Sequence, residues 1–207
     1  MGALLVLATL LAPGAAGAAP PATPGECVTD AATGTTRCLF RSGFPAAGLL
    51  AECRSDVECR VGHYHGDLDA VTWLAPPPGL GRLPRPAVTW LSSTLAEARF
   101  GCGGACTVSY FFDARRRRVS PPHWRVLAVD VRRQRLVAGE ERRLAVRQIF
   151  SGRLVLSLER DWAPGGPAAE AVTAARLLPD GRLVLEWLRG PDRTPVSERI
   201  TVPAVPP

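Results

Sequence analysis

The chain has 207 residues, 46% of them hydrophobic and 21% charged, with 25 basic against 19 acidic side chains and a formal net charge of +6. That balance describes a folded globular chain with room for one domain, or one domain plus a small Cys-rich module. All 25 basic residues are arginine and neither Lys nor Asn occurs, which excludes a Walker A lysine, a pyridoxal Schiff base, a Ser-Lys dyad, an N-glycosylation sequon and a Cys-His-Asn triad.

The arginine excess is partly a matter of coding. Lys, Asn and Ile use AT-rich codons, and this chain has only Ile149 and Ile200 beside abundant Ala, Gly, Pro and Arg. The basic balance therefore speaks little for nucleic acid, which is not an expected partner. A pI near 9.5 still favours acidic surfaces and polyanions by long-range attraction.

From the N-terminus, the apolar run Ala3 to Ala12 is too short to span a bilayer of ~30 Å. Ala16-Gly17-Ala18 supplies an A-x-A cleavage site, so residues 1–18 read as a signal peptide, although no Lys or Arg precedes the apolar run. No later segment is long and apolar enough to anchor the chain. The expected destination is export, to a periplasm or outside the cell. A Pro-rich spacer follows over 19–25, then a Cys-rich segment over 26–66, a β-rich domain over 67–203 and a tail over 204–207.

Six cysteines remain after the leader, and an even count in an oxidising compartment predicts three disulfides. Spacing favours local pairs. Cys27 and Cys38 flank a turn-rich stretch, Cys53 and Cys59 bracket a five-residue polar loop, and Cys102-Gly103-Gly104-Ala105-Cys106 closes a tight turn. The chain-entropy model gives the first pair about 3 kcal/mol and the last about 2 kcal/mol. C-x-x-x-C is neither the redox spacing of thioredoxin-like sites nor a zinc spacing, so the cysteines read as structural.

His63-Tyr64-His65-Gly66-Asp67-Leu68-Asp69 carries the metal-ligating residue types. On extended backbone His63, His65 and Asp67 share a face, as ligands to one zinc or copper ion must. The spacing resembles the H-x-H-x-D opening of metallo-β-lactamase-type hydrolases, with Leu68 where that pattern has a His. A smaller site could draw on His123, the third and last His. The plainer reading makes the segment a polar loop with exposed histidines and no cofactor.

Pro76-Pro77-Pro78-Gly79 through Pro86 forms a linker or long loop between two identical pentapeptides, Ala70-Val71-Thr72-Trp73-Leu74 and Ala87-Val88-Thr89-Trp90-Leu91. Both are β-branched and aromatic, hence strands. Further strands are expected over Thr107–Phe112, Trp124–Val131, Leu144–Phe150, Leu154–Leu158, Leu183–Trp187 and Pro195–Val202. In the Trp124 segment, Val126, Ala128 and Asp130 are assigned to one face and Leu127, Val129 and Val131 to the other. Only Pro167–Leu178 reads as helix, with Pro at its start and Ala after it. The fold class is all-β, an antiparallel meander forming a sandwich, an incomplete barrel or propeller-like hairpins.

The tract Pro179-Asp180-Gly181-Arg182 resembles the P-D-G-R hairpin of propeller-type repeats in exported bacterial proteins. Asp113-Ala114-Arg115 and Asp130-Val131-Arg132 repeat its flavour more loosely. That resemblance implies a binding scaffold without naming a ligand. Arg115-Arg116-Arg117-Arg118 is either a solvated hairpin tip or an attachment point for an anionic polymer. Trp162, placed in a loop, is the tryptophan expected to be exposed for binding. The favoured reading is an exported, disulfide-stabilised binding module for an unidentified protein or an anionic polymer, with enzyme activity left open as an alternative. The alternatives are a metal-dependent hydrolase using His63, His65, Asp67 and His123, and an inhibitor of an exported enzyme.

Overall fold

A computed structural model describes residues 25–68, 70–77 and 79–204. The expected signal peptide, the spacer before Gly25, Asp69 and tail residues 205–207 lie outside the described residues. The strands form four antiparallel sheets, each built from one contiguous stretch of chain. The first is a meander of β1 (Glu26–Thr29), β2 (Thr36–Arg41), β3 (Ala47–Ser55), β4 (Glu58–His65) and β5 (Thr72–Trp73). In the second, β6 (Ala87–Trp90), β7 (Leu95–Gly101) and β8 (Thr107–Asp113) run in order, and β8 also pairs with β9 (Arg118–Val119) and β10 (His123–Trp124).

The third sheet contains β11 (Val126–Asp130), β12 (Arg135–Gly139), β13 (Arg143–Gln148) and β14 (Leu154–Glu159). A four-residue helix, α1 (Ala168–Ala171), leads into the fourth sheet of β15 (Val172–Leu177), β16 (Arg182–Arg189) and β17 (Thr194–Thr201). Among the described residues helix is thus confined to one turn. The rest of the expected helix, from Val172 to Leu177, is strand, where β-branched Val172 and Thr173 suit a pleated backbone and pairing with β16 supplies its hydrogen bonds.

Period-2 alternation makes each strand two-sided, and the sheets use both sides. Leu49, Ala51 and Val61 of the first sheet pack with Val88, Ala98, Phe100, Tyr110 and Phe112 of the second. The opposite side of the second sheet, through Leu95 and Phe111, meets Val126, Leu136 and Ala138 of the third. Val137, Leu144 and Val146, on the far side of the third, pack with Leu183, Leu185 and Trp187 of the fourth. The sheets are therefore stacked in chain order, and the Cys-rich segment shares one core with residues 72–124. In β11 a bulge between Val126 and Ala128 breaks the expected alternation. Val126 and Val129 consequently join one core while Leu127 and Ala128 join the other.

Three disulfides, Cys27–Cys38, Cys53–Cys59 and Cys102–Cys106, match the local pairs expected from spacing. Each lies within one hairpin or turn, and the first two join cross-strand partners of the first sheet. At the third-to-fourth seam, a Cβ added to Gly139 would lie 2.3 Å from the Ala169 Cβ, so the side-chain-free position is what lets α1 sit against β12.

Phe111 has no exposed surface and fills the seam between the second and third sheets. Phe111→Ala is expected to destabilise the chain by about 3–5 kcal/mol. Urea unfolding would measure this, and a loss below 1 kcal/mol would contradict the packing described.

Candidate binding surface at one end of the stack

The β8–β9 and β11–β12 hairpins carry the same turn. Asp113 accepts from the Arg116 amide at 3.1 Å, and Asp130 accepts from the Arg133 amide at 2.9 Å. Each carboxylate also pairs with the guanidinium of that arginine, at 3.3 and 3.2 Å. The residue after it takes positive φ, 51° at Arg117 and 52° at Gln134. An Asp side chain that accepts from the backbone three residues on organises such a turn, and the left-handed residue returns the chain to the next strand. The loose D-x-R likeness of these tracts thus corresponds to shared geometry.

Contacts gather these turns at one end of the molecule. The Arg118 guanidinium donates to Gln134 Oε1 at 2.7 Å and lies 3.8 Å over the Phe150 ring. The Arg133 guanidinium donates to the Pro179 carbonyl at 2.7 Å, which ties the second turn to Pro179–Arg182. In that third turn, hydrogen bonds from the Arg182 side chain and amide hold the Asp180 carboxyl below the usual range. Segments 113–118, 130–135 and 179–182 together contain eight arginines and three aspartates. Their surplus is five charges, against six for the whole chain.

The sequence treated the histidine segment and the arginine tip separately, yet the fold makes them neighbours. His63 and His65 lie on strand β4, not in a loop, and continue the inward face of Val61. Their rings lie 5.5 Å apart and pack on Phe112, at 5.1 and 5.5 Å. Burial lowers both imidazoles; His65 further lowers His63, and the Arg117 cation further lowers His65. His63 Nδ1 and His65 Nε2 are buried without a hydrogen-bond partner among the described residues.

His123 does not join them. It is buried on the opposite side of the second sheet, against Phe111, and its Nε2 lies 2.7 Å from the Ile149 carbonyl oxygen, to which it donates. Burial lowers its pKa and the Arg147 cation adds to that, opposed by the bond to Ile149. The second sheet stands between His123 and the His63–His65 pair, so the ligand set drawn from sequence is not assembled. Asp67 follows Gly66 beyond the end of β4. Among the described residues no three of His, Cys, Asp and Glu meet in a metal-binding group.

Trp162 is not an exposed platform. It is half-buried, its indole N–H donates to the Arg142 carbonyl at 2.8 Å, and its ring stands edge-on to Trp187 at 5.9 Å. Its apolar body was needed to close the last core. A groove of about 460 Å³ on the open face of the first sheet went unforeseen, because its lining comes from all five strands of the sheet and the loop between β4 and β5. There Glu52 pairs with both Arg37 and Arg60, and Arg60 lies 4.0 Å over Trp73. Those charges are matched within the groove, in contrast to the arginine turns.

All three imidazoles are lowered from 6.5 on folding, so the unfolded chain binds protons more readily. Their contribution to stability is complete above about pH 6.5 and is lost as pH falls through the lower folded values. The urea midpoint is expected to fall between pH 7.5 and 5.5, and His123→Gln should flatten that dependence. Identical midpoints at both pH values for the unaltered chain would contradict it.

No family model, no curated protein and no solved structure matches the chain.

Proposed function

We propose that the chain is an exported, disulfide-braced binding protein that holds an anionic polymer along the arginine turns of its stack. The observation that carries this reading is the concentration of the surplus charge, five of six, in three turns tied to one another by hydrogen bonds. The arginines divide into two sets. Arg116, Arg118, Arg133 and Arg182 are engaged by Asp113, Asp130 and Asp180 and hold the turns in shape. Arg115, Arg117 and Arg132 are exposed and make no ion pair among the described residues, leaving their guanidinium forks for sulfate, phosphate or carboxylate groups.

Arg117 adds a second argument. A left-handed position costs a residue with a Cβ about 1–2 kcal/mol, and Gly is the residue that avoids it. An arginine kept there, its side chain exposed, trades stability for a cation at the tip of the first turn. Export is supported by the three disulfides and by the leader-like first 18 residues.

Retention on a sulfated polysaccharide and on polyphosphate, measured across salt concentration, tests the reading. The Arg115→Ser/Arg117→Ser/Arg132→Ser variant should elute at lower salt. Its slope of log affinity against log salt should shrink by roughly two to three, one counterion per lost contact. Arg54→Ser/Arg142→Ser/Arg189→Ser removes the same charge at the other end and should leave the slope nearly unchanged. Equal losses in the two variants would reduce the effect to net charge and defeat the proposal. Arg117→Gly is expected to move two properties in opposite directions, raising stability by about 1 kcal/mol while weakening polymer retention.

A further inference from the structure

Beneath the second and third arginine turns lies a cavity of about 390 Å³, whose lining includes Arg133, Arg135, Gln148, Asp180, Gly181 and Val202. Arg135 opens β12 and is only 8% exposed. Among the described residues it makes one side-chain hydrogen bond, from Nη1 to the Pro203 carbonyl at 2.9 Å, and no ion pair. The nearby carboxylates are occupied, Asp130 by Arg133 and Asp180 by Arg182. A guanidinium carries five donors in a planar fork, and those that Arg135 does not spend on Pro203 are not sealed away but face the solvent of this pocket. Gln148 adds a further donor to the same pocket. Its Oε1 accepts from the Ser151 hydroxyl at 2.9 Å, and its amide nitrogen has no partner among the described residues.

We propose that this cavity seats a single oxyanion group, a phosphate, sulfate or carboxylate, gripped by the Arg135 fork and the Gln148 amide. The proposal rests on the polymer-binding reading, of which it names the one group seated in this open pocket while the exposed arginines meet the rest. Asp180 on the wall does not bar an anion, since Arg182 neutralises it. The planar fork suits two oxygens of one group, which a point-charge cation would hold less specifically.

Calorimetric titration of the full chain with inorganic phosphate, with sulfate and acetate in parallel, tests this directly. Saturable binding of one anion per chain is expected, and the order of the three affinities tells which oxyanion the seat prefers. Arg135→Gln should weaken it about tenfold to a hundredfold, and Arg135→Lys should fail to restore it fully. The Arg54→Ser/Arg142→Ser/Arg189→Ser variant, which removes as much charge away from the turns, should bind phosphate as the parent does. No saturable binding of any of the three anions would overturn the proposal, as would undiminished affinity in a folded Arg135→Gln chain. If Arg135→Gln does not fold, Gln148→Leu takes its place, and unchanged affinity there overturns it equally. Polymer retention that persists without phosphate binding refutes the seat alone, and phosphate binding without polymer retention refutes only the wider reading.

Discussion

Burial of the second and third sheets on both faces is the constraint from which the rest of the molecule follows. β12 shows it in three consecutive residues: Leu136 and Ala138 enter one core, and Val137 between them enters the next. A one-residue slip in such a strand would exchange two packed surfaces at once, so register is specified from both sides. The bulge in β11 meets the same demand by re-phasing the strand so that both cores still receive apolar side chains. Charged groups are left with the outer faces and the ends.

That exclusion explains where the chemistry lies. Glu97 lies buried inside the stack, and it is engaged, accepting from the Ser109 hydroxyl at 2.6 Å and from Nε and Nη2 of Arg99. At one end the turns concentrate arginine, organised by three aspartates that each take a backbone amide as well as a guanidinium. The polar cavity and the exposed tips belong to a single surface, because neighbouring hairpins of neighbouring sheets must end side by side.

Much of this was legible in the residues, and the reasons differ by element. The hairpins were read from strand-turn-strand spacing, and the disulfides from pairs too close in sequence to prefer distant partners. The helix was over-read at Val172–Leu177 because Ala content is a weak preference that strand pairing overrides. The faces of β11 were misassigned because a bulge leaves no mark on composition. His123 and Trp162 were drawn towards function by residue type, whereas each is held by burial and a main-chain carbonyl. Arg135 passed unnoticed for the opposite reason: among 25 arginines, only its burial without a carboxylate sets it apart.

None of the three disulfides links one sheet to another, and their partners stand only 11, 6 and 4 residues apart. During oxidative folding, each cysteine therefore meets its native partner at a higher local concentration than any other, since short loops close at the least entropic cost. Scrambled pairings are disfavoured before any core has formed, and the thiols need little help from an isomerase to sort themselves. The bonds brace hairpins that then assemble by packing alone. Under reducing conditions the hairpins would loosen one by one, while the seams between sheets would lose no covalent tie.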